Sequence, residues 1–134
     1  MLKTLVLAAT LGCSAALAQA KEEKHSALEV SSKMEGDKLS LSFKVVPGKD
    51  MIVNFEAPWK LEIKKAEGLS FAKTTLQRPD MDDKLPGYVL QSTAAPAGGG
   101  GEVEYSAVVF VCDKDKTRCF REIHAGKHGW KKPA

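Results

Sequence analysis

The chain has 134 residues, a net charge of +3, 43% apolar and 28% charged residues, and three cysteines. That length holds one core and one folded domain. The balance of apolar and charged residues excludes wholesale disorder and a fibrous repeat. No uncharged apolar stretch reaches the roughly 18 residues of a membrane-spanning helix. The lysines and arginines are interspersed with acids, so no nucleic-acid-binding stripe forms and no nucleic-acid partner is expected.

The first twenty residues read as a secretory leader. Lys3 is a short positive start, Thr4 to Leu17 is mostly Leu, Val and Ala, and Ala18-Gln19-Ala20 is a small-x-small cleavage site ahead of Lys21-Glu22-Glu23-Lys24. Gly12-Cys13 offers a lipobox as the lesser alternative, with Thr10 a poor residue for it. The expected organisation is a signal peptide over residues 1–20 and a single domain over 21–134, periplasmic or secreted. Cleavage removes Cys13 and leaves Cys112 and Cys119, a pair able to form a disulfide in an oxidising compartment.

Residues 21–26 are polar and expected to fray. From there the period is two. Leu28 and Val30 suggest a short strand, Gly36-Asp37 a turn, and Leu39, Leu41, Phe43 and Val45 alternate with polar residues in a half-buried strand. Pro47-Gly48-Lys49-Asp50 predicts a turn. Met51 to Phe55 is a short apolar strand, Ala57-Pro58 interrupts, and Trp59, Leu61 and Ile63 alternate again. After Glu67-Gly68 a further extended piece begins at Leu69-Ser70-Phe71. Residues 77–87 carry turn formers and three acids and read as a loop, with Asp82 and Asp83 solvated. Tyr88 to Gln91 is a strand, and Thr93 to Gly101 reads as a small-residue linker. Glu102 to Cys112 is the strongest strand. Val103, Tyr105, Ala107, Val109 and Val111 share one face, and its second half is apolar on both faces, which predicts a central position. Phe120 to His124 makes a last strand, and Ala125 to Ala134 a basic, glycine-rich tail. Seven or eight short strands without a convincing helix predict an antiparallel β-sandwich, with an eight-stranded barrel as the alternative.

Cys112 and Cys119 enclose six polar residues between two strand-like runs, which predicts a hairpin with a cysteine at each end of its loop. Two readings follow. The pair is a structural staple, or it is redox-active: the only pair in the mature chain, at a sheet end, with Lys114, Lys116, Arg118 and Arg121 able to stabilise a thiolate and Asp113 and Asp115 opposing them. A metal carrier, from Cys-x6-Cys with His124 and His128, is a minor third reading, since zinc modules usually hold two to four residues between cysteines and oxidation would remove the ligands. No metal or other cofactor is expected. Trp59 is expected in the core, while Trp130 is either exposed or packed on the sandwich. Gly98 to Gly101 precede no helix start and make no phosphate loop, and no Ser-His-Asp arrangement is legible from His25, His124 and His128.

Val111-Cys112-Asp113-Lys114 running to Cys119, at the end of a long strand after a glycine-rich turn, resembles the N-terminal periplasmic domain of the thiol:disulfide interchange protein DsbD. Val46-Pro47-Gly48, the run from Phe55 to Leu61, Glu67-Gly68-Leu69-Ser70-Phe71 and the acidic stretch from Pro79 to Tyr88 fit in order, over residues 38 to 123. The resemblance implies an immunoglobulin-like fold and an electron relay, in which the cysteine pair exchanges with thioredoxin-fold or membrane-embedded redox proteins. It implies that Cys119 reacts first and that Asp82, Asp83, Lys84, Leu85, Pro86 and Gly87 form a cap loop over the pair. The sequence differs from the family pattern in a longer loop between the cysteines, in Phe120-Arg121 where prolines are usual, and in Leu85 where the cap usually has an aromatic. Without a membrane-spanning segment, the chain is not expected to carry electrons across a membrane by itself. The alternative expectation is a non-catalytic binding or structural sandwich stapled by its disulfide.

Overall fold

The computed structural model describes residues 24–133; the expected leader, with Cys13, lies outside them. Among the described residues eight strands form two antiparallel sheets: β1 (Ser26–Glu35), β2 (Lys38–Pro47), β3 (Met51–Val53), β4 (Lys60–Ala66), β5 (Thr75–Gln77), β6 (Gly87–Gln91), β7 (Gly100–Asp113) and β8 (Cys119–Lys131). The first sheet runs β1–β2–β6. In the second, β7 pairs with β8 along one edge and with β3 and then β4 along the other, and β5 pairs with β4. The architecture is an all-β sandwich, as the period-two pattern predicts, and the two sheets do not close into a barrel. Among the described residues no helix is long and apolar enough to cross a membrane.

The core follows the alternation. Leu39, Leu41, Phe43 and Val45 of β2 meet Leu61 and Ile63 of β4 and Val103, Ala107, Val109 and Val111 of β7, all buried. The Phe43 and Tyr105 rings meet edge-to-face with centroids 5.2 Å apart. Strand β7 is flanked by strands along both edges, and the outer-face residues of its second half, Val108 and Phe110, are half-buried. Trp59 is buried, and its indole N–H donates to the Asn54 carbonyl at 2.6 Å.

Five sequence expectations change. Strand β1 has ten residues, and no ladder forms at Leu69 to Phe71; the next strand, β5, begins at Thr75. Residues 77–87 are not all loop, because Arg78–Asp80 forms a single 3₁₀ turn whose Asp80 carboxylate accepts from the Gln77 N–H at 2.9 Å. The glycine run is only partly a linker: Gly100 and Gly101 open β7. A Cβ on Gly101 would lie 2.9 Å from the Trp130 indole nitrogen and 2.6 Å from the Glu67 carbonyl oxygen, so the missing side chain is the space Trp130 fills. The basic tail is likewise strand through Lys131. Trp130 is buried and donates to the Glu67 carbonyl at 2.9 Å.

The open side of the sandwich lies between the edge strands β1 and β8. It is closed by side chains rather than by a backbone ladder. The inner face of β8 carries Glu122, His124 and His128, which bond to the N-terminal end and the middle of β1.

Candidate functional site

The β7–β8 hairpin pairs thirteen residues, from Gly100 opposite Lys131 to Cys112 opposite Cys119. Its turn is made by short polar groups. The Lys116 N–H donates to the Asp113 carbonyl at 2.8 Å, and Lys116 takes a left-handed φ of 59° to bring the chain back. Asp115 accepts from the Thr117 hydroxyl at 2.9 Å, and that bond, with one from the Thr117 N–H, holds its carboxyl below the ordinary range. The Asp113 N–H donates to the Arg118 carbonyl at 2.8 Å. Alternation makes the next pair outward, Cys112 and Cys119, a non-hydrogen-bonded one, where side chains stand closest. Their Cα atoms are 4.0 Å apart and the sulfurs are joined.

The two sulfurs differ in access. Cys112 sits on a central strand and is 3% exposed, whereas Cys119 begins an edge strand and is exposed. A depression lies on each side. One, about 270 Å³, is lined by both cysteines with Ile52 to Glu56 and Lys116. The other is a larger groove of about 470 Å³, formed by Lys24, His25 and the β8 residues from Cys119 to Ile123. Phe55 and Ile123, two of the exposed large apolar side chains, stand beside the pair.

The charges around the pair sort themselves. Lys114 pairs with Asp50 at 3.3 Å and Arg118 with Asp113 at 3.2 Å. Among the described residues Lys116, Arg121 and Lys24 make no ion pair, so the depression with Lys116 holds one unpaired cation and the β8 groove holds two. The two acids that oppose a thiolate on sequence grounds are thus turned to other partners: Asp113 to Arg118, Asp115 to Thr117.

Lys24 and His25, expected to fray, are docked on β8. The Lys24 ammonium donates to the Ile123 carbonyl and the His25 N–H to the Glu122 carboxylate at 2.8 Å. The His25 ring stacks on Phe120 with centroids 3.9 Å apart, and the Arg118 guanidinium lies 5.8 Å from the Phe120 ring centre. Nothing in the local sequence pattern marks these two residues.

The loop from Asp82 to Gly87 is fixed to the other sheet. The Val45 N–H donates to the Pro86 carbonyl at 2.8 Å, and Lys84 and Asp82 close a local turn at 2.9 Å. A Cβ on Gly87 would lie 1.7 Å from the Phe43 carbonyl oxygen, so close backbone approach between β6 and β2 requires glycine there. None of Asp82, Asp83, Lys84, Leu85, Pro86 and Gly87 lines either depression beside the cysteines. The segment reaches the site through Arg78 instead, whose guanidinium stacks 5.8 Å from the Phe55 ring centre and donates to the Phe55 carbonyl.

Parity separates the cysteines from the histidines. Cys119 faces outward with Arg121 and Ile123, while His124 and His128 face β1. His128 bonds to the Ser32 hydroxyl at 3.0 Å rather than standing in solvent as a tail histidine would. Ser26 bonds to both His124, at 2.8 Å, and Glu122. This is not a hydrolytic triad. The carboxylate sits 4.0 Å from the same imidazole nitrogen that meets the serine, so it cannot orient the ring from behind. Burial, aided by the Lys24 charge, holds His124 below its ordinary pKa against the opposing pull of Glu122. Among the described residues no three His, Cys, Asp or Glu groups gather as a metal site. Compared with known proteins, the chain matches no family model, no curated protein and no solved structure.

Proposed function

We propose that this chain is an exported thiol–disulfide exchange module that relays electrons through Cys112 and Cys119, related to the N-terminal domain of DsbD. The observation that carries the reading is the asymmetry of the pair. An exposed sulfur on an edge strand is bonded to a buried sulfur on a central one, and unpaired cations stand in both depressions. Exchange needs one sulfur that a partner's thiolate can reach and another that can leave as a thiolate. Cys119 meets the first requirement. Cys112 meets the second as the other half of the bond, and Lys116, which shares a depression with both cysteines, is a cation that favours the thiolate. The family role of Cys119 as the first sulfur to react fits this division.

The position of the bridge also speaks for exchange over stapling. It closes a turn that a thirteen-pair ladder already closes. A thioredoxin-fold oxidoreductase is the partner this chemistry calls for, working outside the cytoplasm after removal of residues 1–20.

The test is capture of the mixed disulfide. Cys112→Ser leaves Cys119 without its internal partner and is expected to hold an oxidised thioredoxin-fold protein in a covalent adduct that reductant releases. Cys119→Ser is expected to form far less adduct. Equal capture by both variants, or by neither, contradicts the reading.

A further inference from the structure

We propose that the groove beside β8 seats the incoming nucleophile and selects thiols that carry a negative charge, with Arg121 and Lys24 as positioning residues. This rests on the exchange reading above and names the class of thiol that the site takes.

Direction of attack comes first. A thiolate attacks a disulfide in line with the bond, from behind the sulfur it joins. Cys112 lies inside the sheet and Cys119 on its edge. The line from the Cys112 sulfur through the Cys119 sulfur therefore leaves the molecule across β8, on the side away from β7. The groove of about 470 Å³ that Cys119 lines with Lys24, His25 and Arg121 is on that side, and its volume suits a small ligand or a short peptide segment.

Charge comes second. Arg121 is exposed and has no ion-pair partner among the described residues. The Lys24 ammonium donates to the neutral Ile123 carbonyl and makes no ion pair among the described residues. The one acid of the groove, Glu122, is turned inward. Its side chain is 8% exposed, and its oxygens accept from the His25 N–H and the Ser26 hydroxyl. An approaching thiolate therefore meets two exposed cations, while the Glu122 carboxylate is set back beneath the surface. A thiol with a carboxylate or sulfonate near its sulfur gains a second attraction, and one with an ammonium is repelled.

The atoms balance without an outside oxidant. One thiolate bonds to the Cys119 sulfur, the Cys112–Cys119 bond breaks, and its electron pair leaves on Cys112. A second thiolate then attacks the sulfur of the first, so the thiol pair leaves as a disulfide and Cys119 is freed. Two electrons pass to the protein, and the two protons lost by the thiols go to the two cysteines.

The experiment measures second-order rates of reduction of the oxidised protein by mercaptoethanesulfonate, mercaptoethanol and cysteamine, compared at equal thiolate concentration. The wild type is expected to favour the anionic thiol over the cationic one. In Arg121→Gln with Lys24→Gln that ratio is expected to fall roughly tenfold at low ionic strength, about what unit charges a few ångströms apart in water supply. Arg121→Lys is expected to keep the ratio, and about 0.5 M salt to erase it in the wild type. Both side chains are exposed, and circular dichroism checks that the variants fold. A ratio that is the same in wild type and double variant at low salt overturns the inference alone. A disulfide that resists all three thiols and dithiothreitol until the protein is denatured overturns the exchange reading, and this inference with it.

Discussion

A relay must stay folded with its sulfurs joined and with them apart, and the structure fixes how much stability the bridge supplies. The loop it closes runs from Cys112 to Cys119, a sequence separation of seven. In the chain-entropy model a loop that short is worth about 2.5 kcal/mol, toward the low end for disulfides. For a domain of this size that corresponds to a fall in Tm of about 10 °C. The rest of the hairpin does not depend on the sulfurs. The ladder from Gly100 to Cys112, the Asp113–Arg118 hydrogen bond and the Lys116–Asp113 turn all remain. Thermal melts of the oxidised protein and of the same protein in excess phosphine reductant, followed by near-ultraviolet circular dichroism of the buried Trp59 and Trp130, read the difference. The expected result is two cooperative transitions about 10 °C apart with the same folded baseline. Loss of the tryptophan signal at room temperature on reduction would mean that the bridge holds the fold together, which a relay cannot tolerate.

Two further outcomes test the scaffold. Gly87→Ala places a carbon 1.7 Å from the Phe43 carbonyl oxygen, so β6 must shift off β2. The expected loss is about 3 kcal/mol in urea unfolding, at the upper end of the usual overpacking range, and a change below about 0.5 kcal/mol would mean that the two strands do not approach so closely. The seam between β1 and β8 should respond to acid. His124 has a lower pKa folded than its ordinary value of 6.5, so the unfolded chain takes up the proton first. Its contribution is complete above that value and is lost as pH falls below it. Stability of the wild type is expected to drop more steeply than that of His124→Gln between about pH 7 and pH 5. Equal slopes would remove His124 from the account.

The parts of the fold that were legible are those where burial and period agree. Leu39, Leu41, Phe43 and Val45 announce β2, and the doubly apolar run from Ala107 to Val111 announces the centre of a sheet. The cysteine spacing announced the hairpin, because six polar residues between two strands leave little else for the chain to do. What escaped lies where a buried face is polar or bare. Glu122, His124, Gly126 and His128 occupy the inner face of β8, where alternation looks for apolar residues, so the second half of that strand read as tail. Gly100 and Gly101 read as linker because their purpose, room for the Trp130 indole, exists only once residues distant in sequence are packed. The site shows the same division. Cys112 and Cys119 were visible. Lys24 and His25 were not, because only the docking of β1 against β8 carries them to the exposed sulfur. The expected cap, Asp82 to Gly87, is held by Val45 and Phe43 of β2, and Arg78 makes the approach to Phe55 in its place.

The central claim is that the Cys112–Cys119 bridge opens and closes in the native protein. Its reduction potential, measured by equilibrating the purified mature protein with a thioredoxin-fold partner of known potential and quantifying both redox forms, tests this most directly. Rapid equilibration is expected, with a potential above about −300 mV, within reach of such partners. A potential below that value, with no exchange on prolonged incubation, would contradict the claim and leave the disulfide as a staple in a β-sandwich of other purpose.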